Sequence, residues 1–196
     1  MTHDLNDSMD EDLIALVTKG DHRAFSILVK RHTDKFYALA FRTLGNTRDA
    51  EDVVQDCFVK LWKKPSAYKP ERGAKFTTWF YRVVFNASID LKRKHKIVVS
   101  DMDESLQDTN FTMQDERLIV EDEQVELEKA ISTLPERQQA ALNLCYYQEM
   151  PQKEAADIMG VGLKALESLL SRAKANLKDY YLSVEAEKKQ VKYAAR

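Results

Sequence analysis

Residues 151–177 read PQKEAADIMGVGLKALESLLSRAKANL, and this stretch decides the fold. Ala155 and Ile158 are spaced to face one side of a short helix over 152–159. Gly160 stands where the chain must reverse, a position that suits positive φ. Val161 can plug the angle that follows. Leu166, Leu169 or Leu170, Ala173 and Leu177 mark the inner face of a longer helix, from Leu163 to about Tyr181. Its outer face carries Lys164, Glu167, Ser168, Ser171, Arg172 and Lys174. Two helices joined by a three-residue, glycine-bearing turn match the helix-turn-helix, whose second helix enters the DNA major groove. An ordinary helical hairpin with solvated charges has the same pattern, because so short a motif recurs by chance.

Working outward, every other periodic segment is also helical. Val125, Leu127, Ile131 and Leu134 share one helix face, stopped by Pro135, and residues 139–147 form the next helix. At the front, Leu13, Leu16 and Val17 follow the acidic start Asp10–Asp12, and Gly20-Asp21 ends that helix. Phe25, Leu28, Val29, His32, Phe36, Leu39, Ala40 and Leu44 then form one apolar stripe up to Gly45-Asn46. The 196 residues fit two small domains, and only 5 glycines and 4 prolines occur, which favours helices over turn-rich sheet. The fold class is all-α: two helical domains over 9–96 and 123–182, a linker over 97–122, and a charged, frayed tail over 183–196.

Charge separates these parts. The net charge of −2 seems to oppose nucleic acid, yet residues 100–128 alone carry −10 and the remainder +8. An acidic strap joins two basic domains. No apolar run is long enough to span a bilayer, and the polar N-terminus is no signal peptide, so a soluble cytoplasmic protein without membrane insertion is expected. Cys57 and Cys145 are far apart and form no metal-spaced pair; two reduced, partly buried thiols are expected.

Two helices of the front domain bear chemistry. Residues 75–96 interleave Phe76, Trp79, Phe80, Tyr81 and Phe85 with Lys75, Arg82, Lys92, Arg93, Lys94 and Lys96. Aromatic rings stack on unpaired bases while cations neutralise phosphates, and Thr77, Thr78, Asn86 and Ser88 add hydrogen-bonding groups. Core packing is the competing role, above all for Trp79, Phe80 and Val83. The preceding loop, residues 63–75 (KKPSAYKPERGAK), holds five bases. In the other helix, Asp49, Glu51, Asp52, Gln55 and Asp56 face away from Val53, Val54, Cys57, Phe58, Leu61 and Trp62. Such a face is either merely solvated or docks a basic protein surface.

In this order the elements resemble one family. DAEDVVQDCFVKLW (49–62) is similar to region 2.2 of the sigma-70 family of transcription factors, the segment that binds RNA polymerase. FTTWFYRVVFNASIDLKRK (76–94) resembles regions 2.3 and 2.4, which melt and read the minus-ten promoter element. Residues 134–177 resemble region 4, which reads the minus-thirty-five element, and residues 9–32 resemble region 2.1. With no long acidic N-terminal extension and no separate middle domain, the chain looks like the extracytoplasmic-function (ECF) group.

The resemblance implies a non-catalytic initiation subunit that needs no cofactor or metal. Asp49, Asp52, Gln55, Asp56, Phe58 and Trp62 would meet the clamp helices of the largest polymerase subunit, and the second domain the flap region. Tyr68, Lys75 and Asn86 would take a flipped minus-ten base, with Trp79 and Arg82 beside them. Asp90, Arg93 and Lys94 would lie along upstream minus-ten DNA. Lys164, Glu167, Ser168, Ser171 and Arg172 would face the minus-thirty-five element. An anti-sigma factor that clamps both domains is also implied.

Two departures stand out: Glu167 and Leu169 occupy places where family members often carry Lys and Arg, and Gly162 stands where a Ser cap is common. Glu167 opposes phosphate but can accept from cytosine N4. Two other functions compete. A sigma mimic that captures an anti-sigma factor needs no phosphate contacts, so the 92–96 basic run opposes it. A metal-dependent hydrolase is opposed by His3, His22, His32 and His95, which form no short-spaced pair.

Overall fold

A computed structural model describes residues 5–70, 73, 75–101 and 121–194. These fall into two compact units, one on either side of residue 112. All regular elements among the described residues are helical.

The first unit begins with a 3-10 turn, Leu5–Asp7, followed by α1 (Asp10–Thr18) and α2 (His22–Leu44). Asp21 caps α2 by accepting from the amides of Arg23 (2.8 Å) and Ala24 (3.0 Å). Gly45 ends it at φ 71, the left-handed conformation that only glycine adopts without penalty. Asn46 then caps α3 (Thr47–Lys63) through the Asp49 amide at 3.0 Å. A 3-10 turn, Pro65–Ala67, leads towards α4 (Phe76–Asp101).

α2 packs against α1, α3 and α4, and the core lies among these four helices. Leu13, Leu28, Phe36, Leu39, Phe76 and Phe80 are its largest fully buried side chains. Phe36 is the hub, with ring centroids 4.8 Å from both Phe80 and Tyr81 and 6.0 Å from Phe58. Cys57 is buried here, and burial pushes its thiol up to about 11. α4 continues to Asp101, beyond the basic cluster where the sequence places its end. Ile97, Val98 and Val99 follow that cluster without a proline or glycine, so nothing stops the helix there. The expected linker is thus helical at 97–101 and again from Glu121; its residues 102–120 lie outside those described.

The second unit comprises α5 (Glu121–Ser132), α6 (Glu136–Leu142) continued by a π-helical turn (Asn143–Tyr147), α7 (Gln152–Met159) and α8 (Leu163–Ala194). The single helix expected over 139–147 therefore starts three residues earlier and changes its hydrogen-bonding pattern midway. α8 reaches Ala194, correcting the frayed tail expected from 183. Residues 183–194 are rich in Ala, Glu, Lys and Gln, which lose little on becoming helical.

Candidate functional site

Three surfaces hold the side chains singled out from the sequence. The first lies between α2 and α3. The apolar positions of α2 form two stripes rather than the single one expected. Ala24, Leu28, His32, Phe36 and Leu39 are buried in the core. Phe25, Val29, Thr33 and Tyr37, four residues apart along the helix, line an open groove of about 500 Å³. Its opposite wall comes from α3, through Val54, Phe58, Val59 and Trp62. Phe58 spans both regions, because its ring also packs 5.0 Å from Phe80 in the core. Trp62 is half-buried, held between Phe25 (5.0 Å) and His22 (4.4 Å). Glu51 and Gln55 line the polar edge, and Asp52 and Asp56 stand exposed beside it. Asp49 lies at the start of α3, its carboxylate 3.5 Å from His95 Nδ1 at the basic end of α4.

The second surface is one face of α4. Arg82, Asn86, Asp90, Arg93 and Lys94 are all exposed and recur every three to four residues, in line with half-buried Trp79. Of the five aromatics interleaved with the basic residues, Phe76, Phe80, Tyr81 and Phe85 are buried in the core, the packing role already expected of Phe80, whereas Trp79 is half-buried and reaches the surface. Tyr68, expected beside the flipped base, is 6% exposed. Its ring packs 5.6 Å from Phe76 and 5.5 Å from Trp79, so it backs Trp79 instead of presenting a face of its own. Lys75, just before the helix, is exposed.

The third surface belongs to the second unit. α7 ends at Gly160 (φ 64), and the Val161 amide returns to Ala156 O at 3.0 Å, closing the turn. Leu166, Leu170 and Ala173 are buried, which settles the choice between Leu169 and Leu170. Lys164, Glu167, Ser171 and Arg172 are exposed, and Ser168 is half-buried. Arg172 Nη2 donates to Ser168 Oγ at 2.9 Å, one turn along the helix. Lys174 Nζ instead lies over the Tyr146 ring, 5.3 Å from its centroid. Behind this face, Asn176 Nδ2 donates to the buried Gln138 Oε1 at 3.0 Å, tying α8 to α6.

Two polar links carry no signal in the sequence. Asp10 accepts from Arg31, and its other oxygen lies 2.8 Å from His32 Nε2. The next residue, Glu11, accepts from the Phe76 amide at 3.0 Å. The acidic run 10–12 announces a helix N-terminus, but no local spacing tells which neighbour each acid meets.

Each of the two units resembles a part of known proteins. Residues 28–97 match the family model described as Sigma-70 region 2, and residues 124–177 that described as Sigma-70, region 4. The chain is 30% identical over 175 residues to the ECF RNA polymerase sigma factor SigW of Bacillus subtilis, covering 84% of this chain and 92% of SigW. It is 28% identical over 166 residues to ECF RNA polymerase sigma factor SigE of Mycolicibacterium smegmatis, covering 83% of this chain but only 63% of SigE. Among solved structures it is similar to CnrH in complex with the cytosolic domain of CnrY. That match has a TM-score of 0.63 and 26% identity, covering 89% of this chain and 97% of CnrH.

Proposed function

The chain belongs to the sigma-70 family, among its extracytoplasmic-function sigma factors, and on that premise we propose how it divides the work of promoter-directed initiation. The groove between α2 and α3, with the acidic edge of α3, docks core RNA polymerase. The exposed face of α4 holds the opened minus-ten element. The outer face of α8 meets the minus-thirty-five element. The groove carries this reading: a solvated amphipathic helix has no use for Phe25, Val29, Val59 and Trp62 arranged around an open apolar cleft. A helical partner fits such a cleft, with Asp52 and Asp56 meeting its basic flanks. The striped face of α4 supports DNA contact, since Asn86, Arg93 and Lys94 offer hydrogen bonds and phosphate neutralisation along one line.

An anti-sigma factor that occupies the same groove in the inhibited state fits this arrangement. The similarity to CnrH, solved in complex with the cytosolic domain of CnrY, supports a protein partner of this kind. None of the described helices is long and apolar enough to cross a membrane. The protein acts as a binding subunit and leaves bond-making to the polymerase.

In-vitro transcription with core enzyme on genomic templates tests the whole scheme. The chain should generate discrete promoter-specific transcripts that core enzyme alone does not. Their absence from every template would defeat it. Changing Arg93 and Lys94 to alanine should abolish them while leaving core binding intact, which distinguishes a sigma factor from a mimic.

A further inference from the structure

We propose that Glu11 is a positioning residue for strand opening: its carboxylate caps α4 from 65 residues upstream and so sets where Trp79 presents its ring to unpaired promoter DNA. The inference rests on the role proposed for α4 in holding the opened strand.

α4 begins at Phe76, and the residue before it is Lys75. A lysine side chain has only donors, so it cannot meet the orphan amides of a first turn. The first backbone bond of the helix is made, from the Trp79 amide to Lys75 O at 3.0 Å. The Phe76 amide instead donates to Glu11 Oε1 at 3.0 Å, in a part-buried site. Glu11 thus satisfies, from a distant part of the chain, one of the orphan amides of the first turn. Its negative charge also suits the positive end of the helix dipole.

Glu11 is itself aimed by its neighbour. Asp10 is fixed to α2 through Arg31 and His32, and Arg31 also donates to the carbonyls of Asn6 (2.9 Å) and Ser8 (3.1 Å). Successive helical residues point about 100° apart. The first turn of α1 therefore grips α2 with one acid and α4 with the next. α1 also packs against the Pro65–Ala67 turn, next to Tyr68, whose ring backs Trp79. Loss of this bond would loosen the backbone of the first turn, on which Trp79 stands, while buried Phe76, Phe80 and Val84 keep α4 seated on the core.

The test uses the full chain with core RNA polymerase, on a promoter mapped from its own transcripts. The promoter is supplied as duplex and in a form pre-opened by mismatches across the minus-ten element. Glu11→Ala removes the cap; Glu11→Gln keeps an acceptor oxygen without the charge. Glu11→Ala should form open complexes on duplex roughly five-fold less efficiently, the factor expected for losing one helix cap. Glu11→Gln should recover most of that loss. The deficit should shrink on the pre-opened promoter, and core affinity should be unchanged. A chain that is merely destabilised would lose activity equally on both templates, which would overturn the proposal. So would Glu11→Ala matching the parent on duplex while Trp79→Ala is impaired, or Glu11→Gln falling as far as Glu11→Ala. If Trp79→Ala is also unimpaired, the strand-holding role of α4 itself fails, and the positioning role fails with it.

Discussion

His32 Nε2 lies 2.8 Å from Asp10 Oδ2, and the Arg31 guanidinium holds the other oxygen of the same carboxylate. Burial alone would raise the Asp10 carboxyl, but the His32 hydrogen bond and charge, followed by those of Arg31, outweigh it and hold the group below 3.8. A carboxyl depressed in the folded state stabilises the fold above its unfolded value. That contribution is lost as pH falls through the folded value. Asp10→Asn should therefore cost about 2 kcal/mol at neutral pH, the scale of hydrogen bonds to a charged group. The gap from the parent should narrow between neutral pH and acid, as pH falls through the lowered folded value of the Asp10 carboxyl and leaves it as uncharged as the amide. Urea unfolding at the two pH values measures it; a gap that persists in acid would mean that Asp10 acts by shape alone.

The groove makes a prediction about binding that is separable from folding. Val59 lines the groove yet is 41% exposed, so replacing it leaves the core beneath α3 intact. Val59→Asp puts a charge into a cleft that a partner must desolvate. Core polymerase affinity should fall roughly ten-fold or more, with little change in melting temperature. Titration of labelled chain against core enzyme, beside a melting curve, gives both quantities. An unchanged affinity would move the docking surface elsewhere.

The division between core and surface is legible in the sequence where periodicity decides it and illegible where two faces overlap. Gly160 and Val161, the stop at Gly45-Asn46 and, apart from the choice between Leu169 and Leu170, the inner leucines of α8 announce themselves, because turn residues and 3.6-residue spacing are local signals. The α2 groove does not, since Phe25 and Leu28 are both apolar and three apart. A stripe wide enough to feed two surfaces looks like one stripe. Nothing local in the sequence announces the packing of Tyr68 on Phe76 and Trp79 either, because it arises from how the loop folds back. The links from Glu11 to Phe76 and from Asn176 to Gln138 join residues 65 and 38 apart, and no spacing rule reaches so far.

The basic end of α4 predicts a salt dependence. Arg93 and Lys94 are exposed in line with Asn86 and Asp90. Removing one side chain that neutralises a phosphate should lower the slope of log affinity against log salt by about 0.9 on duplex DNA. Arg93→Ala with Lys94→Ala should flatten the slope of holoenzyme binding by nearly two units if both meet phosphate. Asn86→Ala should leave the slope alone and relax base preference in the minus-ten element. Filter binding across a salt series, on matched and altered promoters, checks both. A flattening by Asn86→Ala equal to that of the double variant would exchange their roles.

The outer face of α8 is tested by the contrast between two residues one turn apart. Lys164 and Glu167 are both exposed near the helix start, where a recognition helix meets base edges. A lysine can partner phosphate or guanine, whereas a glutamate repels phosphate and can accept from cytosine N4. Lys164→Ala should weaken promoter binding and reduce its salt sensitivity. Glu167→Ala should tighten binding to unrelated DNA by removing a repulsive charge. It should also lower discrimination at one position of the minus-thirty-five element by about 1–3 kcal/mol, the range for one good side-chain–base pairing. Competition between single-base promoter variants measures this directly. If Glu167→Ala strengthens every sequence equally, the residue acts only as a brake on phosphate attraction, and the bases must be read by Ser168, Ser171 or Arg172 on the same helix.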